Sequence, residues 1–279
     1  MQVILRRTID SFKLIFSALY LVYIKVSEKK TSRRVVLFYH NIRKVDIKNF
    51  EKQMAYISEK CKIVKPSQIK SGQINNAKIL IAIIFDDALV SVMENAVPIL
   101  LKYDLPAGIS VPAGNLGKPP DWEMPENVSY KNEGILTEAQ ISELDRKGFE
   151  ILSHTLTHSL LTSVDGKRLE SELIDSKLLL ERIIGHDIQA IVYPEGAYND
   201  KICSAAKKAG YKFGFTVEPS LVSRKTDDLK IGRFRVFSQD NLTKFKLKVN
   251  GAYQVENFFT MLKEFWINHL KPKRGIRDL

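Results

Sequence analysis

Two short clusters carry the residue types that hydrolytic chemistry needs. The first, Asp86-Asp87, closes the apolar run Ile83-Ile84-Phe85. Adjacent carboxylates where a buried strand meets its loop are costly unless a cation or a hydrogen-bond network compensates them. The second is His154-Thr155-Leu156-Thr157-His158, directly after Ile151-Leu152-Ser153. On a helical turn, imidazoles four residues apart aim at one point. Two neutral imidazoles and one carboxylate make a three-ligand site for a divalent ion, with positions left open for water and substrate. The second carboxylate is then available as a base.

To bring these clusters together, the chain must supply strands that end at a common place. From Arg33 onward, short apolar runs alternate with amphipathic segments, the pattern of β/α units. Strands are expected over 35–39, 79–85, 107–111, 150–153, 190–193, 213–217 and 231–236. Helices are expected over 47–58, 90–102, 138–146, 167–184 and 200–209, where apolar residues recur three and four apart. Gly148 and Gly210 stand just before strands, where helices should stop. The Gly-, Pro- and Asn-rich stretch over 112–133 is too long for a plain connector and is expected to border a site.

At 279 residues and 44% hydrophobic, the chain has material for a sizeable core, in one main domain with extensions. Disordered, collagen-like and small disulfide-scaffold classes are excluded. Cys61 and Cys203 are the two cysteines, too few and too far apart for a disulfide framework or a thiolate metal cluster. A formal net charge of +11 favours anionic partners, and much of the excess sits near the ends, at Lys25, Lys29, Lys30, Arg33 and Arg34 and again at Lys271, Lys273, Arg274 and Arg277. Nucleic acid is not expected, because no basic face interleaved with stacking aromatics is present. The apolar run over 14–24, behind Arg6 and Arg7, falls short of the roughly 20 residues that span a bilayer and lacks a small-x-small cleavage site. A helix lying in the membrane interface is the expectation, with packing on the domain as the alternative. A second amphipathic helix is expected over 255–269, carrying Phe258, Phe259, Phe265 and Trp266. It serves either as another membrane contact or as packing against the domain.

The motifs resemble those of the polysaccharide deacetylases, the NodB-like carbohydrate esterase family four. The family's Thr-Phe-Asp-Asp-Gly is similar to Ile84-Phe85-Asp86-Asp87-Ala88, and its His-Ser/Thr-x-x-His to His154-Thr155-Leu156-Thr157-His158. Its third motif, in the form Tyr-Pro-Tyr-Gly, is similar to Tyr193-Pro194-Glu195-Gly196. The resemblance covers about residues 34–240. It implies a distorted (β/α) barrel, here of about seven strands flanked by N-terminal and C-terminal amphipathic helices, and metal-dependent N-deacetylation of a sugar. It makes Asp86 the general base and Asp87, His154 and His158 the metal ligands. The backbone near Tyr193, Pro194 and Glu195 is then the oxyanion and substrate element. The family's late Leu-x-His acid is missing near 220–250. A permuted subgroup acting on exopolysaccharide carries a Tyr-His pair near its N-terminus, which Tyr39-His40 matches. His40 is therefore the candidate acid. The Arg that often orients the base is also missing from its usual place, and Arg233 is the candidate substitute.

Ala88 in place of Gly and Glu195 in place of Tyr depart from the pattern and keep open a rival reading, a degenerate member that binds saccharide without turnover. A basic barrel that binds anionic polymers, with the His pair merely structural, is the other rival. Zinc is the default ion, and cobalt, nickel and manganese remain compatible with the donor set. The expected organisation is a membrane-associated segment over 1–32, the deacetylase domain over 33–240, and a C-terminal helix with basic tail over 241–279. The expected partners are an N-acetylated glycan or lipid-linked saccharide and a membrane surface, in a peripheral position at a bacterial cell envelope.

Overall fold

The computed structural model describes residues 32–71, 78–125 and 128–254. The apolar N-terminal run and the helix expected over 255–269, with its basic tail, lie outside the described residues. Among the described residues, no helix is long and apolar enough to cross a membrane.

Among the described residues, eight parallel strands form one sheet: β1 (Arg33–Tyr39), β2 (Lys62–Ile63), β3 (Ile79–Phe85), β4 (Gly108–Val111), β5 (Glu150–Ser153), β6 (Ala190–Val192), β7 (Phe213–Phe215) and β8 (Phe234–Arg235). Their order is β7-β6-β5-β4-β3-β1-β8. The two-residue β2, too short to have been predicted, shares one edge of β3 with β4: Ile63 pairs with Ile81, and farther along Gly108 pairs with Ile84. The strand predicted over 231–236 is split and closes the ring. Ile231 bridges to Phe215 of β7, whereas Phe234 and Arg235 pair with Leu37 and Phe38 of β1. The result is a distorted (β/α) barrel.

Strand periodicity explains the two-layer core. Val36, Phe38, Leu80, Ala82, Ile84, Leu152 and Val192 fill the barrel interior. The intervening Val35, Leu37, Tyr39, Ile81, Ile83 and Phe85 pack outward with Phe50, Met54, Leu144 and Leu173 of the surrounding helices. All seven residues of β3 are buried, as a strand covered on both faces requires. Each buried Leu or Ile side chain stabilises by roughly 1.5–3 kcal/mol.

The helices are α1 (Ile47–Lys60), α2 (Val97–Lys102), α3 (Glu138–Arg146), α4 (Gly166–Ile184), α5 (Asp200–Lys208) and α6 (Leu242–Val249). Thr137 and Gln140 close a reciprocal capping box at the start of α3. The helix predicted over 90–102 is not continuous. Val92–Ala96 forms a wider π turn in which Val97 N–H donates to the Val92 carbonyl, and α2 restarts with Pro98 in its first turn. Pro98 has no N–H to donate and its ring collides with the carbonyl four residues back, so the hydrogen-bond ladder must shift. Gly148 and Gly210, at φ 92° and 93°, end α3 and α5 as expected. The unpredicted α6 buries Phe245, Leu247 and Val249 against α1 and β1.

Candidate active site

Parallel strands that end at one rim gather the motif residues. The interior parity of Phe38, Ile84 and Leu152 continues to His40, Asp86 and His154, and all three line a cavity of about 510 Å3 at the mouth of the barrel. Two successive side chains on a strand point to opposite faces, so Asp86 and Asp87 share this cavity only because the chain leaves β3 abruptly. Asp87 and Ala88 adopt φ 68° and 47°. That left-handed turn costs about 1–2 kcal/mol per non-glycine residue. The fully buried Ala88 takes up the conformation that the Gly of the related motif would adopt without strain.

Asp87 faces two imidazoles. His154 Nε2 and His158 Nε2 lie 3.4 and 3.5 Å from Asp87 Oδ1, and the three donor atoms fall within 4.8 Å of one another. Among the described residues, the buried Oδ1 atom has no hydrogen-bond partner. A buried carboxylate oxygen aimed at two imidazole nitrogens is what a cation would satisfy. His154 Nδ1 is 2.7 Å from the Val192 carbonyl, which can only accept, so Nδ1 carries a proton and Nε2 is turned toward Asp87. Burial, followed by repulsion from His154, pushes His158 down to about 3, leaving its ring neutral. Burial also opposes charge on His154, but the Asp87 and Asp86 carboxylates override it and hold His154 above the usual histidine value.

Asp86 is placed differently. Its two oxygens accept from Arg233 Nη1 and Nη2 at 2.8 and 3.0 Å, and Ser110 Oγ donates to Oδ1 at 2.9 Å. Burial alone would raise the Asp86 pKa; the Arg233 charge, assisted by His154 and His40, holds it well below the usual carboxylate range. Arg233 is itself fully buried, with Nε donating to the Thr216 carbonyl and the guanidinium 4.2 Å over the Phe38 ring. The sequence-selected Arg233 therefore does meet Asp86, across 147 residues of chain.

The His-x-x-x-His segment is not helical, contrary to the expectation from its spacing. It is an irregular loop after β5 in which Thr155 and His158 adopt φ 64° and 57°. The rings converge by another route. Glu172 on α4, fully buried, accepts from Leu156 N–H at 3.0 Å and Thr157 N–H at 2.9 Å. Its other oxygen accepts from the Thr157 and Ser159 hydroxyls at 2.6 and 3.0 Å and from Arg168 Nε at 3.1 Å. These bonds hold the Glu172 carboxyl below its usual range, against the effect of burial. The two imidazoles end at 83° to each other with centroids 4.7 Å apart.

His40, after β1, sits with Nε2 3.9 Å from Asp87 Oδ2, the oxygen opposite the one that His154 and His158 face. Burial lowers its pKa, against the attraction of Asp87 and Asp86. The long loop over 112–133 does border the site. Trp122 stacks on His158 at 4.0 Å and 17°, and Tyr130 stacks on His40 at 5.4 Å. Of the third motif, Tyr193 and Glu195 line the cavity, whereas Pro194 is buried and is not part of its lining. The Tyr193 hydroxyl donates to the Leu229 carbonyl at 3.1 Å, and Glu195 is exposed at φ 54°. Ser110, Glu172, Trp122 and Tyr130 escaped selection from sequence. Ser110 had a signal, its interior parity on a predicted strand. Glu172 had another, a carboxylate between Leu169, Leu173 and Ser176 on the apolar stripe of a predicted helix.

Parallel strands with convergent acids and imidazoles at their C-terminal rim define a (β/α)-barrel hydrolase architecture, and comparison with known proteins narrows it. Residues 73–214 match the family described as polysaccharide deacetylase. A poly-beta-1,6-N-acetyl-D-glucosamine N-deacetylase of Staphylococcus aureus is 28% identical over 244 residues, covering 74% of this chain and 80% of that protein. The Streptococcus pyogenes deacetylase PplD, solved in complex with acetate, superposes with a TM-score of 0.65 at 25% identity, covering 78% of this chain and 97% of that one. The polysaccharide deacetylase BC0361 of Bacillus cereus gives 0.64 at 28% identity, over 77% and 68% of the two chains. This chain belongs to the polysaccharide deacetylase family.

Proposed function

We propose that this protein is a metal-dependent N-deacetylase of an N-acetylated amino-sugar polymer, with the S. aureus relative pointing to N-acetylglucosamine. One observation carries the reading: the orphaned Asp87 Oδ1 faces two imidazole nitrogens beside an Arg-clamped second carboxylate. Asp87, His154 and His158 would hold the ion, and their mixed N and O donors suit zinc first, with cobalt, nickel or manganese also accommodated. When bound, a divalent ion there polarises the acetamide carbonyl and lowers the pKa of the attacking water. Asp86 takes the proton of that water. Its Oδ2, with one partner against two on Oδ1, is the oxygen with acceptor capacity to spare. Arg233 keeps the carboxylate ionised and fixes its plane. The water oxygen bonds to the carbonyl carbon, the carbon–nitrogen bond breaks, and His40, which must carry a proton for this step against the effect of its burial, hands that proton to the departing amine, giving acetate and a free amino sugar. The backbone at Glu195 is the candidate support for the oxyanion.

The test is acetate release from an N-acetylglucosamine oligomer after loading with zinc, with bound metal measured in parallel. Asp86→Asn should abolish release while the ion stays bound, and His40→Ala should lower kcat by roughly 10²–10⁴-fold with metal content unchanged. A protein that holds no stoichiometric divalent ion after reconstitution would overturn the reading. A protein that holds metal and oligosaccharide but releases no acetate would establish the saccharide-binding alternative.

We also propose peripheral membrane attachment through the apolar run over 14–24 and its flanking basic residues, which would bring the active mouth close to a membrane-bound saccharide. Deleting residues 1–30 should move the protein from the membrane to the soluble fraction. Continued attachment would shift that role to the segment over 255–269.

A further inference from the structure

A second cavity of about 360 Å3 adjoins the catalytic one, and the two share His40, Val128, Tyr130 and Arg235 as a common wall. Their electrostatics differ. Among the described residues, the catalytic cavity is lined by Asp86, Asp87, Glu123 and Glu195 together with Arg233 and Arg235, whereas no described carboxylate lines the second, which presents Arg43 and the shared Arg235. Arg233 and Arg235 both line the catalytic cavity but differ in situation: the first is consumed by Asp86 and Thr216, while the second is exposed, its guanidinium 5.0 Å from the centre of the Phe237 ring. Lys244 and Lys248 approach the same ring at 5.9 and 5.4 Å. The balancing carboxylates lie beneath. Asp46 is buried against Arg43 and Ser238, and Asp240 is buried against Lys244 and Lys248. Among the described residues that line the second cavity, Arg43 is paired with Asp46, and Arg235 is the cation with no described carboxylate partner. An exposed guanidinium resting over an aromatic ring leaves N–H groups available for a forked bond to a tetrahedral or planar anion.

We propose that this second cavity is an anion subsite, which takes a phosphate or carboxylate borne by the glycan next to the sugar whose acetamide enters the catalytic cavity. The inference rests on the deacetylase reading for its placement of the sugar, but it can fail separately. The test is titration calorimetry on the full chain with three ligands: di-N-acetylchitobiose, its 1-phosphate, and the N-acetylglucosaminyl–N-acetylmuramic acid disaccharide, which carries a carboxylate. At low ionic strength at least one anionic ligand should bind about tenfold tighter than the neutral one, the scale of a single charge-assisted hydrogen-bonded pair. The advantage should shrink as salt is raised. The ligand that gains distinguishes a phosphate substituent from a carboxylate. Arg235→Gln should bring the anionic-to-neutral affinity ratio close to one, and Arg43→Gln should reduce it independently. Equal affinity for all three ligands, or a preference that survives both substitutions, would overturn the subsite. Loss of acetate release from every saccharide with the anion preference intact would overturn the deacetylase reading alone.

Discussion

Asp86 and Asp87 are chemically identical, adjacent and both buried, yet their surroundings assign them different work. Asp86 is neutralised by a forked Arg233 contact, while Asp87 is left with an unpartnered oxygen between imidazoles. The difference arises from the left-handed backbone at Asp87, which turns its carboxylate away from the guanidinium and toward the histidine loop. Removing Arg233 would strand a charged carboxylate in a dry site, and breaking a buried pair in this way costs about 3–5 kcal/mol. Arg233→Met is therefore expected to lower the thermal midpoint markedly. Arg233→Lys keeps the charge but not the fork, so it should recover much of the stability and little of kcat. Calorimetric melting together with kcat at matched metal content checks both expectations.

Among the elements, α4 does more than cover the sheet. Glu172 collects the N–H and hydroxyl donors of the loop between the two imidazoles, so the helix acts as a template for a segment with no ladder of its own. A glutamine at this position has the same shape but replaces one acceptor oxygen by a donor, which would face groups that also donate. Glu172→Gln should weaken zinc binding by roughly 10–100-fold with far-UV circular dichroism unchanged, as measured by chelator competition. Unaltered metal affinity would reduce Glu172 to a packing residue.

For the whole molecule, closure depends on contacts between the first and last described elements. Gln53 of α1 donates to the Asp240 carbonyl at 2.8 Å and accepts from the Tyr39 hydroxyl at 2.9 Å. The Asp240 carboxylate accepts from Lys248 Nζ at 2.6 Å. Burial works against ionisation of Asp240, but the Lys248 charge and hydrogen bond prevail and hold its pKa below the usual value. A carboxylate depressed in this way stabilises the fold at pH above its unfolded value of about 3.9, and the contribution disappears as pH falls through the lower folded value. Asp240→Asn should therefore be less stable than the parent at pH 7, with the gap in urea midpoint closing below about pH 4. A gap independent of pH would mean that the carboxylate's charge contributes nothing to closure.

Much of this was legible in the chain itself. The apolar strands, their alternation with amphipathic segments and the Asp-Asp and His-x-x-x-His clusters all depend on local pattern, because side-chain periodicity and burial of a parallel strand leave a direct mark on residue order, whereas the barrel was implied by the family that the motifs resemble. Even the convergence of His40, Asp86 and His154 follows from counting parity along three predicted strands. What only the tertiary structure decided lies where order along the chain carries no distance information. The π turn ahead of Pro98, the two-residue β2, the docking of α6 and the non-helical path between His154 and His158 arise from packing and from donors that found distant acceptors. The meeting of Arg233 with Asp86, the support from Glu172 and the contrast between an acidic and a basic cavity across one wall depend on which strands close the ring, and ring closure is set by long-range hydrogen bonds, not by local propensity.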